Sequence, residues 1–220
     1  MTRTPGPRPP APPRLPLRTL TADPVEGLLD ESTFRGMEIG GDTLAGGDAA
    51  AVEFTACRFV AADLTGTLLR RSAFSDCRFE RSNLANLRTE RSRLTRVTVD
   101  ATRLTGLHWT DGVLRDVAVT DSRADLAVFR FTRFDGVVFD RCNLSRADFQ
   151  NADLSGVRFT GCDLTGAQFS QAKMDGTRFT GCELDGIGGV TSFRGATVAG
   201  NDLLALAHTL AAALGITIEP

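Results

Sequence analysis

At 220 residues, with 42 % hydrophobic and 24 % charged side chains, the chain has the size and make-up of a globular domain with a substantial core. A formal net charge of −2 gives no electrostatic case for a nucleic-acid or membrane partner. No apolar run approaches membrane-spanning length, and the N-terminus lacks the apolar stretch of a secretory signal, so a cytoplasmic location is expected.

Residues 1–16 hold seven of the nine prolines, a composition that favours an extended, solvated chain. This segment is expected to be a disordered arm, followed by an N-terminal cap over 17–28. From Leu29 one period governs the sequence. Stepping by five to Leu184 meets 32 positions, of which 29 are large and apolar; Ala49, Thr89 and Ala124 are the exceptions. Twelve of the 14 phenylalanines lie in this column, in a chain that has no tyrosine. Two residues ahead runs a second column, Ser32 to Cys182, filled mainly by Ala, Ser, Thr, Cys, Val and Gly.

A period of five suits neither ordinary element. On an α-helix five residues turn about 500°, so the stripe drifts into solvent. On a flat strand an odd period throws successive apolar residues onto opposite faces. Each small/large pair can point inward only if the chain turns a corner in every repeat. A second period, at twenty, counts the corners. Leu44, Leu64, Leu84, Leu104, Leu144, Leu164 and Leu184 recur at that spacing, as do Phe59, Phe79, Phe139, Phe159 and Phe179. Four pentapeptides therefore make one coil. Nearly eight coils, at about 4.8 Å each, make a rod about 35–40 Å long.

The runs Ala147-Asp148-Phe149-Gln150-Asn151, Ala152-Asp153-Leu154-Ser155-Gly156 and Cys162-Asp163-Leu164-Thr165-Gly166 resemble the pentapeptide-repeat family. The resemblance covers residues 29–186. It implies an all-β solenoid, a right-handed quadrilateral β-helix of about eight coils. Within the family the chain resembles the loop-free MfpA-like kind of fluoroquinolone-resistance protein more than the Qnr kind, because no loop interrupts its coils.

Beyond residue 186 the frame slips at Gly186-Ile187-Gly188-Gly189, and the repeat echoes in a new phase at Phe193, Val198 and Leu203. The C-terminal cap is placed at 187–220, with a short helix over 202–214 started by Asn201 or Asp202 and closed by Gly215. Leu203, Leu206, Ala207, Leu210, Ala211 and Leu214 form one apolar stripe on it. Two readings stay open: a lid on the last coil, or a homodimer contact of the kind that the resemblance implies.

No constellation for catalysis, cofactor or metal emerges. Cys57, Cys77, Cys142, Cys162 and Cys182 all occupy the small inward column, where cysteine acts as a small hydrophobe. Neither His108 nor His208 sits in a sequence pattern for nucleophilic or general-base work. The aspartates that precede large residues, such as Asp63, Asp148, Asp153 and Asp163, are the family's common choice at an outward position. Corner glycines such as Gly156 and Gly166 ease turns and match no phosphate loop. An enzyme is not expected.

Function is then sought on the outside. An acidic strip comprises Asp76, Glu80, Asp100, Asp116, Asp135, Asp140 and Asp175, beside an arginine column at Arg58, Arg78, Arg158 and Arg178. Five residues expected to point outward are apolar: Val113, Leu126, Val128, Phe131 and Val138. They mark either an interaction site or a local distortion near the weak inward residue Ala124. The expected function is non-enzymatic protein binding. The resemblance implies a DNA-mimicking modulator of DNA gyrase or topoisomerase IV linked to quinolone resistance, which needs no direct nucleic-acid contact; the alternative is a scaffold rod with an unrelated partner.

Overall fold

The computed structural model describes residues 8–21, 28–41, 44–213 and 215–217. Its backbone explains the period of five. Residues at left-handed φ recur every fifth position, for example Asp111, Asp116, Asp121 and Leu126 at 52, 53, 47 and 60°. Four such corners complete one coil. Among the described residues twenty non-glycine residues adopt this conformation, and none of them is β-branched, as the crowding at positive φ requires.

The result is a parallel β-solenoid of about eight coils, closed by a single short helix. On the first face Thr33–Arg35 pairs with Glu53–Thr55 and then Ala73–Ser75. The second face stacks Met37–Gly41, Arg58–Ala62 and Arg78–Glu80. Arg93–Asp100, Val113–Thr120 and Arg133–Asp140 run through both faces in mid-rod. The third face is a ladder of single bridges from Asp63↔Asn83 to Asp163↔Glu183. On the fourth, Asp48–Ala50, Leu68–Arg70, Arg88–Glu90 and His108–Thr110 stack in order. Partners lie twenty residues apart throughout the coils, except for a local shift between Ile39 and Gly41 in the first.

Because the register is twenty, like side chains meet like. Phe34, Phe54 and Phe74 stack at 4.9 and 4.7 Å, and Phe139, Phe159 and Phe179 at 5.3 and 5.0 Å. Such offset-stacked rings add to the large apolar area that they bury. The small column has its own logic. Its hydroxyls and thiols donate to carbonyls 23 residues earlier, as Thr132 Oγ1 does to Trp109 at 2.8 Å and Cys77 Sγ to Phe54 at 3.4 Å. Its serines also accept from the coil below: the Ser72 amide donates to Ser92 Oγ at 3.0 Å. Small polar side chains are therefore satisfied where a larger one would not fit.

Between Phe79 and Phe129 the aromatic columns give way to leucine, valine and Trp109. An apolar void of about 40 Å³ marks that change of packing.

The C-terminal slip is visible in detail. Gly188 still bridges Gln168, but a Cβ on Gly189 would lie 2.3 Å from the Ser170 amide nitrogen, and its φ is +77°. Only glycine fits there. Past it, Phe193 stacks on Phe179 at 5.3 Å and Val198 pairs with Phe179, closing the column one residue out of phase. A 3₁₀ turn Gly200–Asp202 leads into the α-helix Leu203–Ala213. Asp202 sits at the start of the expected helix, but its carboxylate accepts the Cys182 amide at 3.0 Å, standing in for the hydroxyl that the next coil would have supplied. At the other end Leu20–Thr21 pairs with Met37–Glu38; the rest of the expected N-terminal cap, residues 22–27, lies outside the described residues. No helix among the described residues is long and apolar enough to cross a membrane.

Candidate interaction surfaces

The interior is filled by packed apolar and small side chains. All five cysteines are buried free thiols. The thiol of Cys142 beside it, with burial, pushes Cys162 up to about 12; the Cys57 thiol and burial likewise raise Cys77. Both remain protonated and inert at neutral pH. No group of His, Cys, Asp and Glu among the described residues could hold a metal ion. His108 is exposed on the fourth face, where partial burial and then Arg88 and Arg130 lower its pKa.

The acidic residues of the proposed strip lie around the second face, and most of their charge is answered within the rod. Glu80 receives Arg78 at 2.6 Å and Arg58 at 3.3 Å. Asp135 pairs with Arg115 at 3.1 Å, and Asp140 with Arg141. Asp100 accepts the Thr120 hydroxyl at 2.8 Å. Asp76 is gripped by both ends of the Arg96 guanidinium, at 2.7 and 2.6 Å, which holds its carboxyl below the usual range. Asp175 is exposed at the far end of the strip. The pairs Arg58–Glu80, Arg96–Asp76 and Arg115–Asp135 join neighbouring coils, with partners 20 to 22 residues apart in sequence, and a net charge does not reveal them.

Two members of the strip have an unforeseen partner. The expected arm is docked over residues 8–16. The Arg14 amide donates to Asp76 Oδ1 at 3.0 Å, the Ala11 amide to Asp116 Oδ1 at 3.1 Å, and Arg8 Nη2 to the same oxygen at 3.1 Å. Residues 1–7 lie outside the described residues. Composition alone suggested a free chain; the rod supplies the acceptors that a Pro-rich segment cannot supply for itself.

The five apolar residues do not form a single patch. Phe131 is 62 % exposed, Leu126 44 % and Val113 37 %. Leu126 and Phe131 are consecutive corners with half-buried Val128 on the fourth face between them, and Val113 lies one coil earlier, just past the Asp111 corner on which Phe131 stacks. Val138 belongs to the second face, on the opposite side of a four-sided coil. Coil-to-coil pairing continues on both sides, through Val113–Thr120 with Arg133–Asp140 and through the bridges Arg123↔Asn143 and Val128↔Asp148, and Ala124 is fully buried.

On the terminal helix Leu206 is buried, while Leu203, Ala207 and Leu210 are exposed and Ala211 is half-buried. Leu214 lies outside the described residues.

Family models agree with this architecture at two places. One for pentapeptide repeats in eight copies matches residues 57–96, and one for the pentapeptide repeat region matches 125–188. The chain is a pentapeptide-repeat protein. No curated protein matches it in sequence. Among solved structures this pentapeptide-repeat protein is similar to QnrB1, a plasmid-mediated fluoroquinolone resistance protein. The two are 19 % identical over 87 % of this chain and 99 % of that one, with a TM-score of 0.45. It is also similar to HetL, involved in heterocyst differentiation regulation in the cyanobacterium Nostoc sp. strain PCC 7120. There the identity is 16 % over 76 % of this chain and 89 % of that one, with a TM-score of 0.33.

Proposed function

We propose that this pentapeptide-repeat protein is a non-enzymatic binding rod whose partner is another protein, and that the partner seats on the apolar corner at Phe131, Leu126 and Val128. The observation that carries this reading is the exposure of Phe131 at a corner whose amide still donates to the Gln150 carbonyl of the next coil at 3.3 Å. A large ring held in solvent by regular backbone is what a contact surface needs, since rigid aromatic residues concentrate interface energy at small entropic cost. The test is capture of the partner by immobilised full-length protein. Phe131→Asp with Leu126→Asp is expected to abolish capture while leaving the melting temperature within a few degrees. Unchanged capture would sink the proposal.

A narrower reading makes the partner DNA gyrase or topoisomerase IV, with the rod imitating duplex DNA and modulating quinolone susceptibility. It is favoured by one feature: Glu80, Asp100 and Asp140 share a column of the second face, beside a stretch where the arginine column is replaced by Thr98, Ala118 and Val138. On this reading the purified protein inhibits supercoiling in a salt-sensitive way, and charge reversal at Asp100 and Asp140 removes the inhibition. Absence of any effect on supercoiling or on quinolone-induced cleavage rules it out, and leaves a scaffold role with an unrelated partner.

A further inference from the structure

The docked N-terminal segment is spaced for its site. Reading from Arg8, the sequence is Arg-Pro-Pro-Ala-Pro-Pro-Arg-Leu-Pro, so Arg8, Ala11 and Arg14 carry amides at every third position, with proline pairs between them. Prolines fix φ near −65° and favour the polyproline II helix, which has three residues per turn and rises about 3.1 Å per residue. Ala11 and Arg14 are thus about 9.3 Å apart along the segment. Their acceptors, Asp116 and Asp76, are forty residues apart, which is two coils, or about 9.6 Å at strand spacing. One turn of polyproline II matches two coils of the rod.

The rod is shaped for this ligand as well. Asp76 and Asp116 are both corner residues at φ of 56 and 53°, with Arg96 at the corner between them holding Asp76 through two hydrogen bonds. Beside this corner, Pro12, Pro13 and Leu15 lie in a groove walled by Arg78, Thr98, Asp100, Ala118 and Thr120. The groove exists because the arginine column of the second face lapses there: Thr98 and Ala118 stand where Arg58, Arg78, Arg158 and Arg178 stand in other coils. A carboxylate at alternate coils, a small residue beside it and a ligand amide at every third residue are three independent features that coincide over the same coils.

We infer that the Asp76–Arg96–Asp116 corner and the adjoining groove at Thr98 and Ala118 form a binding site for polyproline II peptides of X-Pro-Pro period, occupied by this chain's own residues 8–16. The two carboxylates read the amides at X, the groove takes the proline pair Pro12–Pro13 between them, and a proline at X deletes a donor and is rejected. An outside peptide of the same period enters when the resident segment leaves. The site overlaps Asp76, Asp100 and Asp116, so the resident segment also screens that part of the acidic strip. None of this depends on the Phe131 corner.

Two measurements on the full-length chain decide it. Hydrogen exchange of the Ala11 and Arg14 amides is expected to be at least about 10-fold slower in the wild type than in an Asp76→Ala, Asp116→Ala variant, since each lost acceptor frees its donor. Equal rates overturn the assignment. The second uses a variant in which Pro9, Pro10, Pro12 and Pro13 are replaced by glycine, so that the resident segment no longer holds its helix. A fluorescent peptide of residues 8–16 is expected to bind this variant at least about 10-fold more tightly than the wild type, where the tethered segment competes at high effective concentration. Binding is expected to be lost on adding Asp76→Ala and Asp116→Ala, and with a peptide of the same composition whose prolines are out of period. Absence of binding to the glycine variant, or equal binding of the shuffled peptide, overturns the proposal.

Discussion

Gly112 faces Trp109 so closely that a Cβ at residue 112 would lie 2.3 Å from the indole nitrogen and 2.8 Å from the Ser92 carbonyl oxygen. The small column narrows to glycine at the coil where the large column widens to tryptophan. Gly112→Ala is expected to destabilise the rod by about 1–3 kcal/mol through overpacking. Trp109→Phe in the same chain is expected to restore part of the loss. Thermal or urea unfolding of the two variants measures both; a neutral Gly112→Ala would show that the indole is free to move.

The carboxylate of Asp202 completes the hydrogen bonding of the last coil by accepting the Cys182 amide. Asp202→Ala leaves that buried donor without its partner, at a cost of about 1–3 kcal/mol. Exchange of the Cys182 amide is expected to quicken by more than that of amides in mid-rod, because the terminal coil has a neighbour on one side only. Uniform quickening along the rod would contradict this.

Asp76 titrates with a defined sign. Its carboxyl is held below the usual value by the Arg96 hydrogen bonds and, against the opposing effect of burial, by the Arg14 amide. A depressed folded-state pKa contributes stability that is present above the unfolded value, about 3.9, and is lost as pH falls through the folded one. The Arg14 amide resonance is therefore expected to shift towards its free position with a midpoint below about 3.9. Arg96→Gln is expected to raise that midpoint. A midpoint unmoved by Arg96→Gln would mean that the guanidinium does not hold the carboxylate.

The terminal helix buries Leu206 and leaves Leu203 54 % and Leu210 38 % exposed. Leu206 joins the core cluster. The bare ones are expected to pair two copies of the chain, so that a dimer forms at micromolar concentration and dissociates on Leu203→Ser with Leu210→Ser. Sedimentation velocity across a dilution series reads this directly; a monomer at every concentration excludes it.

The coils were legible because every residue of a solenoid meets its own kind one period later. A twenty-residue recurrence of Phe139, Phe159 and Phe179 is at once a sequence pattern and a stack of rings. The inward position of the five cysteines followed from the same column. The ion pairs were harder to see, since Arg96–Asp76 and Arg115–Asp135 join positions that carry no fixed residue type from coil to coil. The apolar corner was half legible: the outward phase of Phe131 was evident, while the separation of Val138 onto the opposite side required the faces to be assigned. The proline content of residues 1–16 alone points to a free chain, and only the proline spacing points to a docked one. Arg8, Ala11 and Arg14 were in view as a period of three, but its meaning depends on acceptors two coils apart.

A stack of coils is a one-dimensional object in which each layer feels only the layers above and below it. Residues 8–20 break that rule. They touch the rod at Gly36, Asp76 and Asp116, with Leu20 donating to the Gly36 carbonyl at 3.0 Å, so one strand of chain spans five successive layers. Such a lengthwise tie couples layers that otherwise melt in sequence from the end. The N-terminal half of the rod then unfolds as one cooperative block, and the remaining coils, which have no such tie among the described residues, fray layer by layer.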